Sequence, residues 1–226
     1  MSIVNIIKGW VGEKSAQLGM WLKLDDRIYI RFHNLILQTG NGTTQIDHIV
    51  LSRYGIFVIE TKNFNGWIYG GEKQKDWTQV LFGKKSRFQN PLHQNYRHTK
   101  ALSENLGTDH RKIFPLVFFI GDAELKSDFP ANVMNRGLSA YIKSFTEILF
   151  SDEQLDRLRD RLEQLKDSGI SNRQHVRNLN TKYSDTAICP KCGAALVERT
   201  AKNSPNAGER FLGCSSYPKC RYIRNL

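Results

Sequence analysis

Nowhere in the 226 residues does an uninterrupted apolar run approach the ~20 residues that span a bilayer, so a helical membrane protein is excluded. Nothing basic precedes the short apolar stretch of Met1-Ser2-Ile3-Val4-Asn5-Ile6-Ile7-Lys8, so a secretory leader is not expected and the cytoplasm is the expected compartment. Internal repeats and low-complexity tracts are absent, and 40% hydrophobic with 24% charged residues excludes wholesale disorder. Cysteine is missing from the first 188 residues; all four occur in the tail. Acidic residues are in deficit, 22 against 33 Lys and Arg, for a net charge of +11. That excess calls for an acidic partner, and nucleic acid is the commonest intracellular polyanion, although membrane phosphate or a ribosome fits charge alone. The charge is uneven: +6 over residues 1–150, zero over 151–179 and +5 over 180–226.

Apolar Val4, Ile7, Val11, Leu18 and Leu22 recur at helical steps and predict a helix over residues 1–24. Residues 28–37 shift toward alternation, and Thr39-Gly40-Asn41-Gly42-Thr43 reads as a turn. Two β-rich runs, Gln45–Ser52 and Ile56–Thr61, flank Arg53-Tyr54-Gly55, and residues 66–82 read as further short strands. Asn90-Pro91 starts a helix reaching about Leu106, because proline is tolerated in a first turn. The continuous apolar run Ile113–Ile120 predicts a strand covered on both faces, and Ser139–Tyr141 the beginning of another. Ser151, with Gln154 three residues on, caps an amphipathic helix over 151–169. Its stripe of Leu155, Leu158, Leu162 and Leu165 suits packing on the core, with a dimer seam as the rival reading. Residues 170–186 are polar and aperiodic, as a linker is. A first domain over 1–150, the helix, the linker and a module over 187–226 follow.

The tail module reads Cys189-Pro190-Lys191-Cys192, then, after 21 intervening residues, Cys214 through Cys220. Two cysteine pairs on short turns can offer four thiolates to one Zn²⁺, and so short a segment needs the metal to fold. Two disulfides are the rival, which a cytosolic chain disfavours. The wording Cys-Pro-Lys-Cys-Gly-Ala-Ala-Leu-Val-Glu-Arg, with Gly208 through Tyr222, resembles the four-cysteine finger of type IA DNA topoisomerases over roughly residues 187–224. That resemblance implies a DNA-binding ribbon, tolerant of single strands, with a structural zinc. Phe211, Tyr217 and Tyr222 interleave with Arg210, Lys219, Arg221 and Arg224, so aromatic faces can stack on bases while cations follow phosphates. Phe211 also suits the ribbon's small core, and Tyr222 does so less.

In the first domain, a hairpin with Arg53-Tyr54 at its tip pairs Ser52 with Gly55, Leu51 with Ile56, Ile49 with Val58 and Asp47 with Glu60. Lys62 then shares a face with Glu60. Opposed carboxylates repel unless a cation sits between them. Mg²⁺ (or Mn²⁺) on Asp47, Glu60 and the carbonyl of Thr61 answers that need, with Lys62 aligning an attacking water; a buried Asp–Lys salt bridge is the rival. His48 falls on the opposite face. Lys84, Lys85 and Arg87, beside Phe82 and Phe88, form a basic cluster that reads either as solvated surface or as a grip on a DNA backbone.

Asp…Glu-x-Lys on a hairpin resembles the PD-(D/E)XK nuclease superfamily, and residues about 9–106 resemble the NERD (nuclease-related) domain. The segments that carry the likeness are Gly12-Glu13, Gln45 to Val50, Gly55 to Asn63, Gly66-Trp67-Ile68, Trp77-Thr78-Gln79 and Asn90 to Gln94. The superfamily's Pro-Asp element stands here as Ile46-Asp47. The resemblance implies an α/β fold, a restriction-endonuclease-like mixed sheet flanked by helices, followed by the zinc ribbon. It implies Asp47 and Glu60 as metal ligands, Lys62 as the catalytic lysine, and Glu13 and Gln94 as further residues facing the site. An exposed pairing with Lys14 or Gln17 is the rival role for Glu13, and a surface pairing is the plainer reading of His98. The expected function is that of a Mg²⁺-dependent DNA endonuclease or DNA-processing phosphodiester hydrolase, on single-stranded or structured DNA, with non-catalytic binding of nucleic acid or cleavage of RNA as alternatives.

Overall fold

The computed structural model describes residues 23–40, 42–167, 189, 192, 194–201 and 208–225. Glu13, nearly all of the helix expected over 1–24, and the linker at 170–186 lie outside them. Two compact units make up the chain, one mainly of residues 1–171 and the other mainly of residues 172–226.

In chain order the first unit contains β1 (Ile30–Thr39), β2 (Gly42–Ser52), β3 (Gly55–Asn63), β4 (Gly66–Tyr69), β5 (Asp76–Leu81) and β6 (Lys84–Gln89). There follow α1 (Pro91–Leu106), β7 (Ile113–Ile120), β8 (Ala123–Leu125), β9 (Val133–Met134), α2 (Leu138–Lys143) and α3 (Asp152–Asp167). Five strands form a mixed sheet in the order β1-β2-β3-β7-β9, antiparallel between β2 and β3 and parallel from β3 through β7 to β9. Both faces of its centre are covered. Ile49, Leu51, Ile56 and Val58 meet Ala101 and Leu102 of α1 and Leu158 and Leu162 of α3 on one side. Val50, Phe57, Ile59 and Phe118 meet Leu138 and Ile142 of α2 on the other. The leucine stripe of α3 therefore packs on the core of its own unit.

The hairpin adopts the register read from the sequence, from Ser52↔Gly55 to His48↔Ile59. Arg-Tyr serves as its tip because Ser52 braces it: Oγ accepts from the Tyr54 N–H at 3.2 Å and donates to the Gly55 carbonyl at 3.4 Å. Gly55 is needed there, with φ at +139° and Phe114 so near that a Cβ would lie 2.4 Å from its ring.

A second, four-stranded sheet, β6-β5-β4-β8, buries Ile68, Trp77 and Phe88 against Val117 and Phe119 of the main sheet. Lys84, Lys85 and Arg87 thus lie on an edge strand. Helix α1 begins where the sequence predicts. The Asn90 side chain accepts from the Leu92 N–H and donates to the carbonyls of Gly71, Glu72 and Gln74, tying the helix start to the loop between β4 and β5. One expectation fails: residues 139–141 are not a strand but part of α2, because Leu138 and Ile142, four apart, are both drawn into the core.

The second unit is a three-stranded antiparallel ribbon, β10 (Leu196–Thr200), β11 (Arg210–Cys214) and β12 (Ile223–Asn225). Among the described residues no helix is long and apolar enough to cross a membrane.

Candidate active site and zinc-binding ribbon

Strand β3 is fully buried from Ile56 to Ile59, and then its end turns polar with Glu60, Thr61 and Lys62. Glu60, only 3% exposed, accepts a 2.6 Å hydrogen bond from Lys62 Nζ through Oε1. The same ammonium donates to Gln94 Oε1 on α1 at 2.9 Å. The other oxygen of Glu60, Oε2, lies 3.3 Å from His98 Nε2, within ion-pair distance but not aligned as a hydrogen bond. His98 Nδ1 in turn lies 2.9 Å from Thr44 Oγ1. Gln94 and His98, one helical turn apart on α1, thus frame the Glu60–Lys62 pair. Burial pushes the Glu60 carboxyl up, but His98 and Lys62 outweigh that, and the net shift is below its ordinary value.

Asp47 is held differently. Its Oδ2 accepts from both the backbone N–H of Thr61, at 3.1 Å, and Thr61 Oγ1, at 2.7 Å. The regular pairing stops at His48↔Ile59, one step short of the expected Asp47–Glu60 pair. Ile46 and Ile49, three apart, both enter the same core cluster, an odd spacing that marks a one-residue slip in the alternation at Asp47-His48. Such a slip re-aims a side chain, and it brings Asp47 onto the residue between Glu60 and Lys62. His48 is buried with His33, their Nδ1 atoms 2.7 Å apart. Gln94, expected to face phosphate or water, bonds to Lys62. His98 does not make the surface pair that the sequence reading favoured; it is 6% exposed and faces Glu60. Its four-residue spacing from Gln94 was the available signal.

In the ribbon, one sulfur from each of Cys189, Cys192, Cys214 and Cys220 lies within 4.8 Å of the others, and all four cysteines are free thiols. A tetrahedron with Zn–S bonds of ~2.3 Å has edges of ~3.8 Å. The Cys189–Cys220 separation is 3.8 Å and Cys192–Cys214 is 3.3 Å, so the four thiols suit one Zn²⁺. A hydrogen bond from backbone near Ala194, reinforced by Cys214, lowers the Cys192 thiol to about 7. Burial, with Cys192 next, pushes Cys214 up to about 12. The ribbon's small core consists of Cys189, Cys214, Cys220 and Leu196, with Leu212 and Tyr222 packed against them. Tyr222 is therefore partly committed to packing. Phe211, expected as core filler, instead helps line a concavity of about 270 Å³ with Arg199, Tyr217 and Arg221. Arg199, which the sequence reading missed, places its guanidinium 5.7 Å from the Tyr217 ring centroid. Tyr217, Lys219, Arg221 and Arg210 are exposed, and Arg210 pairs with Glu198 at 2.8 Å.

Two family models match the chain: "nuclease-related domain" over residues 8–120 and "topoisomerase DNA binding C4 zinc finger" over residues 186–226. An uncharacterized protein of Bacillus anthracis is 38% identical over 188 residues, covering 78% of this chain and 86% of that relative. The ribbon is 58% identical over 38 residues to the uncharacterized protein YrdD of Escherichia coli, and 50% identical over 38 residues to DNA topoisomerase 1 of Archaeoglobus fulgidus. Those matches cover 17% of this chain, and 18% and 5% of the respective relatives.

Proposed function

The chain belongs to the nuclease-related domain family, and on that premise we propose that it is a metal-dependent phosphodiester hydrolase acting on DNA, with a zinc ribbon that adds affinity. The observation that carries the reading is the end of β3. Lys62 is held by Glu60 and Gln94, while Asp47 is bonded to the intervening Thr61. Carboxylates from two neighbouring strands converge on three consecutive residues beside a fixed ammonium.

Asp47 and Glu60 are hard oxygen donors of the kind Mg²⁺ takes. A strand residue's N–H and C=O point to the same edge, so the Thr61 N–H that meets Asp47 brings the Thr61 carbonyl to that edge as a third donor. Among the described residues only the four cysteines form a cluster of three or more metal-binding side chains, so carbonyl oxygen and water would complete this site. When bound there, Mg²⁺ supplies polarisation of the phosphate and acidification of a water. The remaining chemistry belongs to the chain. Lys62 donates toward the non-bridging phosphate oxygens, where negative charge grows as the bond from water oxygen to phosphorus forms and the ester P–O bond breaks. Gln94 fixes the direction of that ammonium, and His98 lies beside the far oxygen of Glu60. The attacking water releases its proton to solvent, and the departing oxygen takes one up. The ribbon, which matches the topoisomerase DNA binding C4 zinc finger, holds DNA and raises its local concentration at the first unit.

A second reading, binding without cleavage, is favoured by the same contacts: each carboxylate already has protein partners. Incubating the full chain with labelled plasmid, single-stranded DNA and RNA in Mg²⁺ or Mn²⁺, beside Asp47→Asn, separates the two. The hydrolase reading expects metal-dependent products from DNA that EDTA and the substitution both remove. Binding without products favours the adaptor, products from RNA alone would move the substrate class, and cleavage surviving in Asp47→Asn would sink the site.

A further inference from the structure

The outer face of the small sheet has no role in the chemistry above, yet its composition is that of a binding surface. Strand pairing sets Glu124, Trp67, Val80 and Lys85 in one row, and Tyr69, Thr78 and Arg87 in the next. Directly opposed residues share a face, and Lys126, two positions beyond Glu124, flanks the second row on that face. The inner face, Ile68 and Trp77, is fully buried, whereas Trp67 and Tyr69 are 47% and 38% exposed. Lys126 Nζ lies 5.3 Å from the Trp67 ring centroid and pairs with Glu124, the residue directly opposite Trp67 on the neighbouring strand. Asp76 is the other carboxylate on this face, at its far end from Trp67.

The turn between β5 and β6 adds a third aromatic. Phe82-Gly83 is a two-residue loop with φ of 48° and 75°, a conformation that suits Asn-Gly and penalises a bulky first residue. Phe82 is 95% exposed, so burial does not compensate for that cost. A strained, solvent-facing phenylalanine beside Lys84 and Lys85 contributes nothing to the core and is available to a ligand.

We propose that this face is a stacking platform for single-stranded nucleic acid, with Trp67, Tyr69 and Phe82 taking bases and Lys85, Arg87 and Lys126 following the phosphates. Charge and aromatics decide the occupant. The centre of a protein–protein interface is depleted of charge, whereas here each aromatic row carries cations, as a backbone-tracking surface requires. Trp67 and Tyr69, two residues apart on one strand, stand roughly 6.6 Å from each other, about twice the ~3.4 Å rise of a stacked strand. Each ring can therefore take its own base only from an unpaired, splayed strand. The platform follows β3 directly, and Trp67, five residues past Lys62, lies within ~18 Å of it. The inference deepens the proposed nuclease reading by naming single strands as what reaches the site.

The test uses the zinc-loaded full chain and oligo(dT) carrying one 5-iododeoxyuridine, with oligo(rU) and a duplex in parallel. Photocrosslinks are expected on Trp67, Tyr69 or Phe82. Trp67→Ala and Tyr69→Ala should each weaken single-strand binding about tenfold while leaving duplex binding nearly unchanged. Trp67→Phe should retain most of the affinity, separating stacking from any folding defect. Crosslinks confined to residues 187–226, unchanged single-strand affinity in both alanine variants, or equal losses on duplex and single strand would each overturn the platform. Crosslinking at Trp67 without cleavage in Mg²⁺ would leave the platform standing and remove the hydrolase reading. Cleavage with no effect of Trp67→Ala would do the reverse. The oligo(rU) arm reports whether the platform distinguishes DNA from RNA.

Discussion

Glu60 sits where two opposed effects meet, since burial penalises its charge while Lys62 and His98 favour it. The balance leaves its carboxyl below the ordinary value in the folded chain, so the fold favours the ionised form. The resulting stability is fully present above the unfolded value, near 4.5, and is lost as pH falls through the lower folded value. Glu60→Gln should therefore lower stability at neutral pH by about 1–3 kcal/mol, because Lys62 loses its closest partner. Its deficit against wild type should shrink below pH 4.5, as thermal unfolding across pH would show. The contact between Glu60 and Lys62 was legible in the sequence because strand alternation puts residues two apart on one face. The attachment of Asp47 to Thr61 was not legible, since it depends on a slip in alternation that no residue type announces. The burial of His98 depends on how α1 lies over β3, which is tertiary information.

Helix α1 delivers Gln94 and His98, and its start depends on one buried residue. Asn90 caps the helix and also bonds three carbonyls of the preceding loop. Asn90→Ala should cost about 2–4 kcal/mol, a cap together with the carbonyls left without a donor. Chemical denaturation should show a lower midpoint at unchanged slope; a loss under ~1 kcal/mol would mean the loop finds other donors. The Asn90-Pro91 signature made this helix readable, and the unbroken apolar run did the same for β7. Residues 138–143 misled because six residues are too few for a period to dominate the β-rich look of Ser139–Tyr141. The edge strand β6 was read only as a charge cluster because Phe-Gly is not among the expected hairpin turns.

At the scale of the molecule, the net charge of +11 divides between a nuclease-related unit and a ribbon. A tetrathiolate zinc site subtracts two charges, leaving the ribbon near +3 of its +5. Because the ribbon's core is mostly its own cysteines, chelation should remove its folding energy while sparing the first unit, whose core is separate. Calorimetry with a chelator should show the main transition unchanged, and DNA affinity should fall at least tenfold. Unchanged affinity would remove the ribbon from DNA binding. Cysteine placement set the ribbon apart in the sequence; that Leu212 rather than Phe211 packs on the cysteines was not readable, because it depends on the parity of β11.

The central claim is that the end of β3 cleaves phosphodiesters, and the rate of single-stranded DNA cleavage by Lys62→Ala beside wild type, under single-turnover conditions in Mg²⁺, tests it most directly. Removing a donor aimed at developing charge should slow the reaction about 10²–10³-fold with little change in DNA affinity. Equal rates for the two proteins would contradict the account.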